Sequence, residues 1–195
     1  MSVAFSLASQ SAAVSGEQAP DFTVTTITGE QISLSALRGR AVVLEWTNHQ
    51  CPYVRMHYGS GNMQKTQRTL TEGGAVWISI ISSAPGKQGY VSPAEAQQLA
   101  TVRGSYADYV VLDPEGIIGK LYAAKTTPHM FIVAENGALN YQGAIDDIPS
   151  ASRRSLKDAT NLVLAAWSDM KAGKPVRRPI TKAYGCTVKY SDVSG

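Results

Sequence analysis

Cysteine is scarce in this sequence, since only Cys51 and Cys186 occur among its 195 residues. Two cysteines are too few for a disulfide-rich scaffold, and no Cys/His cluster has the paired spacing of a structural zinc site. The scarcity therefore directs attention to the chemical reactivity of the individual thiols.

Long apolar runs and a strong charge bias are absent as well. No apolar run approaches the ~20 residues needed to span a bilayer, so we expect a soluble protein without membrane association. Lysine and arginine number 18 and aspartate and glutamate 15, which gives a formal net charge of +3, and the basic residues are scattered. This distribution gives little support for nucleic-acid binding.

The length of the chain favours one domain with a well-buried core. We expect a flexible N-terminal segment over residues 1–17, the domain itself over residues 18–172 and a C-terminal extension over residues 173–195. The first 20 residues contain no lysine or arginine, so the charged start of a secretory signal is missing, although Ser11 to Ala13 would suit a cleavage site. A cytoplasmic and a periplasmic location therefore both stay open.

Strand and helix signals alternate along the domain. Three short apolar runs predict strands at residues 41–47, 75–81 and 109–113. The first run, rich in β-branched and aromatic residues, is of the type buried on both faces of a sheet. Pro52 suits the first position of a helix, and Ser92 begins a capping box that announces another. The alternation of strands and helices predicts a parallel component in the sheet.

Two hairpins and a final helix complete the pattern. A turn at residues 28–30 predicts an N-terminal β-hairpin, and Asn136-Gly137 predicts a second hairpin late in the chain. Apolar residues with helical spacing predict one helix over residues 151–171. The order of elements predicts an α/β fold with three layers, in which a mixed central sheet is flanked by helices.

Cys51 stands between a predicted buried strand and the helix that begins at Pro52. A thiol at a helix N-terminus experiences the positive end of the helix dipole and unpaired backbone N–H groups, which both favour the thiolate. Such sites lower a thiol pKa from ~8.5 to ~3.5–7.5, and the thiolate attacks disulfides, peroxides and soft metals. We predict that Cys51 is reactive, with Arg55 adding positive charge and His49 or His57 assisting proton transfer. The alternative is an inert buried cysteine.

Five short motifs occur in order over about residues 18–171. They are Ala19-Pro20-Asp21-Phe22, Trp46 to Val54 (WTNHQCPYV), Asp113-Pro114 with Gly116, Thr126-Thr127-Pro128-His129, and Tyr141 to Asp146 (YQGAID). In this order and spacing they resemble the AhpC/TSA family of thioredoxin-like redoxins. The resemblance implies a thioredoxin fold and a thiol-dependent oxidoreductase whose chemistry is carried by sulfur, without a cofactor or a metal.

The resemblance also implies a particular arrangement around the reactive cysteine. A cis peptide bond is expected between Thr127 and Pro128, with Pro128 facing Cys51 and the backbone of Thr127 offering hydrogen bonds to a bound polypeptide or thiol. Without the resemblance, a trans bond would be expected, because cis bonds make up only ~5–6% of X–Pro bonds in folded proteins. The implied partners are a protein or small-molecule disulfide, or a peroxide, together with an external thiol as reductant.

The sequence departs from the family pattern at several positions. Val54 occupies the place of the second cysteine of a dithiol thioredoxin, so no local disulfide can form. A peroxiredoxin has a threonine three residues before its reactive cysteine and a proline four residues earlier still, where this chain has Asn48 and Leu44. Thr47 is one residue out of register. The sequence therefore gives little support for fast peroxidase activity, which requires groups that polarise the O–O bond.

Cys186 follows the predicted final helix and is the other candidate for a redox cysteine. At ~3.3 Å per residue, an extended chain from Lys171 to Cys186 could cross the face of a small domain. We predict that the Cys51 thiolate attacks a disulfide or peroxide and that Cys186 or an external thiol clears the product. The alternative for Cys186 is a tail thiol without a role, because a disulfide also requires Cα atoms within ~7 Å.

Two other classes of function stay open. A soft ion such as Cu(I) could be bound by Cys51 with His49, His57 or Cys186, and a non-catalytic interaction domain would need no reactive thiol. Structural roles are expected for the remaining prominent residues. They are core packing for Trp46, Trp77 and Trp167, partial burial for His129, and capping of the loop before the last helix for Asp146 and Asp147.

Overall fold

The computed structural model describes residues 13–192. The strands in this range are β1 (Thr23–Thr25), β2 (Gln31–Ser33), β3 (Val42–Trp46), β4 (Val76–Ile81), β5 (Tyr109–Leu112), β6 (Thr126–Thr127), β7 (His129–Val133), β8 (Leu139–Gly143) and β9 (Cys186–Thr187). The α-helices are α1 (Pro52–Gly59), α2 (Asn62–Glu72), α3 (Pro93–Val102), α4 (Ile117–Leu121) and α5 (Leu162–Lys171). In this part of the chain, no helix combines the length and apolar character that a bilayer span requires.

A five-stranded mixed sheet, in the spatial order β5–β4–β3–β7–β8, forms the centre of the fold. Strands β3, β4 and β5 run parallel, whereas β7 is antiparallel to β3 and β8 is antiparallel to β7. Every residue of β3 and β4 is buried, as expected for apolar strands covered on both faces. The predicted strands and both predicted hairpins are therefore confirmed.

Helices and the N-terminal hairpin cover the two faces of this sheet. Helices α1, α2 and α5 pack on one face, where Val54, Leu70 and Trp167 belong to one apolar cluster. The β1–β2 hairpin and α4 cover the other face through Ile32 and Ile118. The predicted three-layer α/β architecture is confirmed, and all three tryptophans are buried.

The predicted single helix over residues 151–171 is wrong. A 3₁₀ turn at Arg153–Lys157 is followed by irregular backbone, and α5 begins only at Leu162. The side chain of Asn161 accepts a hydrogen bond from the backbone N–H of Leu164, so it caps α5 and sets its start. Asp147 fixes the preceding loop by accepting the N–H of Thr160 at 2.8 Å, in agreement with the predicted capping role.

The two ends of the described chain are attached to the domain. Residues 1–12 of the predicted flexible segment lie outside the described residues, whereas Gly16 N–H already donates to the carbonyl of Leu139 at 2.8 Å. At the other end, the extension returns across the domain, and its strand β9 pairs with β6. Val188 is buried in the core cluster, and the Tyr190 hydroxyl donates to the carbonyl of Ala124 at 2.8 Å.

Candidate active site

Cys51 occupies the N-cap of α1 and is joined to the end of β3 by a short turn over residues 47–50. Its backbone is extended (φ −70°, ψ 125°), and its carbonyl accepts the N–H of Arg55 at 2.9 Å, which closes the first helical turn. Pro52 takes the first helical position, where the missing N–H causes no loss. The predicted placement of Cys51 between a buried strand and a helix N-terminus is confirmed.

Asn48 holds the turn that leads from β3 to Cys51. Its side-chain oxygen accepts the N–H of Gln50 at 2.9 Å, and its amide donates to the carbonyl of Gln88 at 3.2 Å. Its carbonyl accepts the N–H of Cys51 at 3.1 Å. Asn48 therefore ties the cysteine turn to the neighbouring loop and has a structural role at this position.

The loop at Thr127-Pro128 contacts the sulfur of Cys51. The peptide bond between these two residues is cis, as the family resemblance implies. The carbonyl oxygen of Thr127 lies 3.0 Å from Cys51 Sγ and accepts the S–H of the neutral thiol. Two elements that are distant in sequence thus meet at one buried sulfur.

Strand β9 brings the second cysteine to the same place. Cys186 pairs with Thr127 across the two-residue ladder, which places its thiol near enough to Cys51 for each thiol to shift the pKa of the other. Gly185 permits the close approach, because it has φ +137° and a Cβ there would overlap the Thr127 carbonyl oxygen. Both cysteines are free; Cys51 is 0% exposed, whereas Cys186 is partly exposed.

The two thiols have opposite pKa shifts. Burial, the largest single effect, raises the pKa of Cys51. Four groups together outweigh burial and lower this pKa below its ordinary value, because they stabilise the anion: the Cys186 thiol, the Val54 N–H, the Thr127 hydroxyl and the Cys186 N–H. Burial and the neighbouring Cys51 raise the pKa of Cys186 to about 12. Cys51 is therefore the group that ionises first, with Cys186 as its proton-bearing partner.

A second cluster of polar groups surrounds Tyr184, just before Cys186. Its hydroxyl donates to Asp146 Oδ1 and lies 3.3 Å from His57 Nε2. Burial lowers the pKa of His57 to about 4, so this imidazole is neutral near neutral pH. Sequence reasoning marked His57 and Asp146 but gave no role to Tyr184, because no local pattern links residues that lie so far apart in the chain.

Glu45 is a further buried group that sequence reasoning missed. This residue of β3 is 0% exposed, and its carboxylate accepts hydrogen bonds from four side chains. The donors are Tyr58, Gln67, Trp77 and Ser79, at 3.0–3.2 Å. The signal was a charged residue inside the apolar run at residues 41–47, since a buried carboxylate requires such partners.

Several other predicted site residues form no hydrogen bond to the sulfur of Cys51. Arg55 is exposed, and its charge adds to the effect of burial in lowering the pKa of Arg103. Thr47 Oγ1 and His49 Nδ1 lack hydrogen-bond partners, and the two residues line a small cavity together with Arg103. His129 is buried against Phe131, 4.4 Å between ring centroids.

The residues considered for a soft-metal site do not form a group of three or more ligands in the described part of the chain. Within residues 13–192, no group of three or more His, Cys, Asp or Glu side chains is arranged to hold a metal ion. The groups around Cys51 are the Cys186 thiol, the carbonyl and hydroxyl of Thr127, and backbone N–H groups.

Solved structures support the fold assignment. The chain is similar to an uncharacterised conserved protein from Geobacillus kaustophilus, with a TM-score of 0.76 and 23% identity over 93% of this chain and 94% of that one. A hypothetical protein from Sinorhizobium meliloti is similar with a TM-score of 0.75 and 20% identity, over 95% and 98% of the two chains. The thioredoxin domain of a thiol-disulfide oxidoreductase from Bacteroides vulgatus has a TM-score of 0.52 and 16% identity, over 75% and 98%.

Family membership follows from the sequence itself. No curated protein matches the chain. The model of the AhpC/TSA family, in contrast, matches residues 15–142, which include the Cys51 turn, the cis-proline loop and the central sheet except the last residue of β8. The chain therefore belongs to the AhpC/TSA family, as a redoxin with a thioredoxin-like fold.

Proposed function

We propose that the protein is a two-cysteine thiol oxidoreductase in which Cys51 is the nucleophile and Cys186 the resolving thiol. One observation carries this proposal: Cys51 is buried at a helix N-terminus, and the pairing of β9 with β6 places Cys186 beside it. Helix N-terminal cysteines of low pKa are the reactive ones, because the thiolate is the attacking species. Thr127, Pro128, Asn48 and Pro52 are proposed to shape this site.

The preferred substrate is a disulfide. The Cys51 thiolate attacks one sulfur of the substrate, which forms a Cys51 mixed disulfide and releases the other sulfur as a thiolate. Cys186 then loses its proton to the released thiolate or to water and attacks Cys51 Sγ. This second exchange forms the Cys51–Cys186 bond and releases the remaining substrate thiol. The substrate is thereby reduced by two electrons and the protein is oxidised.

An external thiol completes the cycle. Two equivalents of a thiol, or one dithiol, reduce the Cys51–Cys186 bond and restore both cysteines. Cys186 is the more accessible of the two residues, since it is partly exposed while Cys51 is fully buried. No further cofactor is needed for this sequence of steps.

A peroxide is proposed as a weaker oxidant of the same cysteine. Attack of the Cys51 thiolate on a hydroperoxide gives a sulfenate and an alcohol, and Cys186 condenses with the protonated sulfenic acid to give the same disulfide and water. Fast reduction requires donors aimed at the departing oxygen. Arg55 is exposed, and Thr47 and Arg103 line a separate cavity, so we rank disulfides above peroxides.

Peptide mapping after limited oxidation tests the proposal. Reduced protein is treated with one equivalent of oxidised glutathione or hydrogen peroxide, and we expect a Cys51–Cys186 peptide pair in both cases. Cys186→Ser should retain glutathione on Cys51, whereas Cys51→Ser should leave Cys186 largely unmodified near neutral pH. Equal labelling of the two cysteines, or no Cys51–Cys186 pair in the wild type, would overturn it.

A further inference from the structure

Tyr184 connects the C-terminal extension to two buried groups of the domain. Its hydroxyl contacts His57, which is 0% exposed, and Asp146, which is 2% exposed. Its ring packs edge-on against Tyr53, with 5.7 Å between the ring centroids. Within the described residues, Tyr184 is therefore the side chain that fixes the extension immediately before Cys186.

The hydrogen bonds through Tyr184 have one consistent direction. The side-chain amide of Asn62 donates to His57 Nδ1 at 2.9 Å, so the ring proton of the neutral imidazole lies on Nε2. That N–H donates to the Tyr184 oxygen at 3.3 Å, which leaves the Tyr184 proton for Asp146 Oδ1. Removal of the hydroxyl would leave the buried His57 N–H without its acceptor, which is costly, and would leave Asp146 Oδ1 with the Ile148 N–H as its remaining donor.

This contact relates the two cysteines to the same helix. His57 and Tyr53 both belong to α1, and Cys51 is the N-cap of α1. Cys186 is two residues beyond Tyr184 and is held on its other side by the pairing of β9 with β6. Tyr184 thus ties the Cys186 segment to α1, and Thr127 ties it to the cis-proline loop. These two attachments together set the distance between the two sulfurs.

We propose that Tyr184, through Asp146 and His57, is a positioning residue that holds Cys186 against Cys51 and keeps Cys51 closed to solvent. This inference rests on the proposed two-cysteine cycle and adds a residue to it. An anchored Cys186 has a high effective concentration at Cys51, so the intramolecular disulfide is favoured over a mixed disulfide. The same anchor limits how often the buried Cys51 opens to an outside reagent.

The test compares Tyr184→Phe with the wild type in two measurements. Phenylalanine keeps the ring contact with Tyr53 and removes only the hydroxyl. We expect the equilibrium constant for formation of the Cys51–Cys186 bond from oxidised glutathione to fall about tenfold. Without the Tyr184 hydroxyl, the segment that carries Cys186 is held less firmly against Cys51. We expect the limiting alkylation rate of Cys51, at a pH where Cys51 is fully ionised, to rise several-fold.

Two further variants separate positioning from general stability. Tyr190→Phe removes a hydroxyl from the same extension, where it bonds to the carbonyl of Ala124, and should leave both measurements within about twofold of the wild type. Asp146→Asn keeps an acceptor for Tyr184 and should produce a smaller change than Tyr184→Phe. The unfolding free energy of each variant is measured alongside.

The outcomes distinguish this inference from the proposed function. If oxidised wild type contains no Cys51–Cys186 bond, the two-cysteine cycle fails, and the alkylation rate of Cys51 alone decides whether Tyr184 closes the site. An unchanged alkylation rate in Tyr184→Phe overturns the inference. Equal effects of Tyr184→Phe and Tyr190→Phe overturn it as well, because they would indicate only a loss of stability.

Discussion

Thr127 and Cys186 lie directly opposite each other in the antiparallel ladder between β6 and β9. The carbonyl oxygen of the same Thr127 is 3.0 Å from Cys51 Sγ, so one backbone residue is next to both cysteines. The second cysteine therefore reaches the first by strand pairing from a C-terminal extension. A local Cys-x-x-Cys turn, with its second sulfur one helical turn away, is replaced by this long-range arrangement.

Gly185→Ala should disrupt this arrangement. An alanine Cβ at φ +137° would overlap the Thr127 carbonyl, so β9 has to leave its register. We expect slower formation of the Cys51–Cys186 disulfide and a loss of roughly 1–3 kcal/mol in the free energy of unfolding. Disulfide formation is followed by quenching and mass spectrometry, and stability by urea unfolding of the reduced protein.

Gly173→Ala is the matched control for that substitution. Gly173 also has a positive φ, +66°, but a Cβ there meets no atom within 4 Å. Its substitution adds the backbone strain without the contact at Thr127. Disulfide formation at the wild-type rate in Gly173→Ala and at a reduced rate in Gly185→Ala is expected; equal rates in both variants would contradict the strand-register argument.

Cys186→Ala should raise the pKa of Cys51. Burial already raises this pKa, and the Cys186 thiol is the largest of the opposing influences that lower it. Loss of that donor leaves burial less compensated, so the midpoint of Cys51 alkylation against pH moves upward. Cys186→Ser, which keeps a hydroxyl donor, should shift the midpoint less. A midpoint that does not move in Cys186→Ala would show that the Cys186 thiol does not stabilise the thiolate.

The parts of the site that were predictable are those with local causes. The apolar run at residues 41–47, followed by Cys51 and Pro52, predicted a cysteine at the end of a buried strand and the start of a helix. The helix dipole and the proline at its first position are properties of neighbouring residues, so they can be inferred from sequence. The cis bond at Pro128 was predictable only through the family resemblance.

The parts that were not predictable depend on contacts between distant segments. Tyr184 is separated from His57 by 127 positions and from Asp146 by 38, and no periodicity connects them. The pairing of β9 with β6 involves two residues in each strand, which is too short to give an alternating pattern. The final helix was predicted too long for a different reason. Its apolar spacing continues before Leu162, across residues that hydrogen bonds of the preceding loop hold out of the helix.

Asn161→Ala tests the contact that sets the beginning of α5. The Asn161 side chain accepts the N–H of Leu164 and also donates to Thr66 at 2.8 Å, so alanine removes the cap and a contact to α2. We expect a loss of about 1–2 kcal/mol in the free energy of unfolding. Ser152→Ala removes the cap of the exposed 3₁₀ turn and should cost less than about 0.5 kcal/mol. Equal losses would indicate that Asn161 does not fix the helix start.

Acidification should destabilise the protein through its buried histidines. Burial lowers the pKa of His129 to about 4, with Lys125 adding to the shift, and burial alone lowers that of His57 to about 4. The unfolded chain takes up these protons near pH ~6.5, so it binds more protons than the folded chain between about pH 6.5 and 4, and stability falls as the pH drops. Each histidine contributes up to about 3 kcal/mol to this loss, which the raised pKa of Asp146 partly opposes.

His129→Asn keeps an acceptor for the Lys125 N–H but cannot titrate, so urea unfolding between pH 7 and 4 should show a shallower decline in stability than in the wild type. Identical declines in the two proteins would mean that His129 has the same pKa in the folded and the unfolded chain.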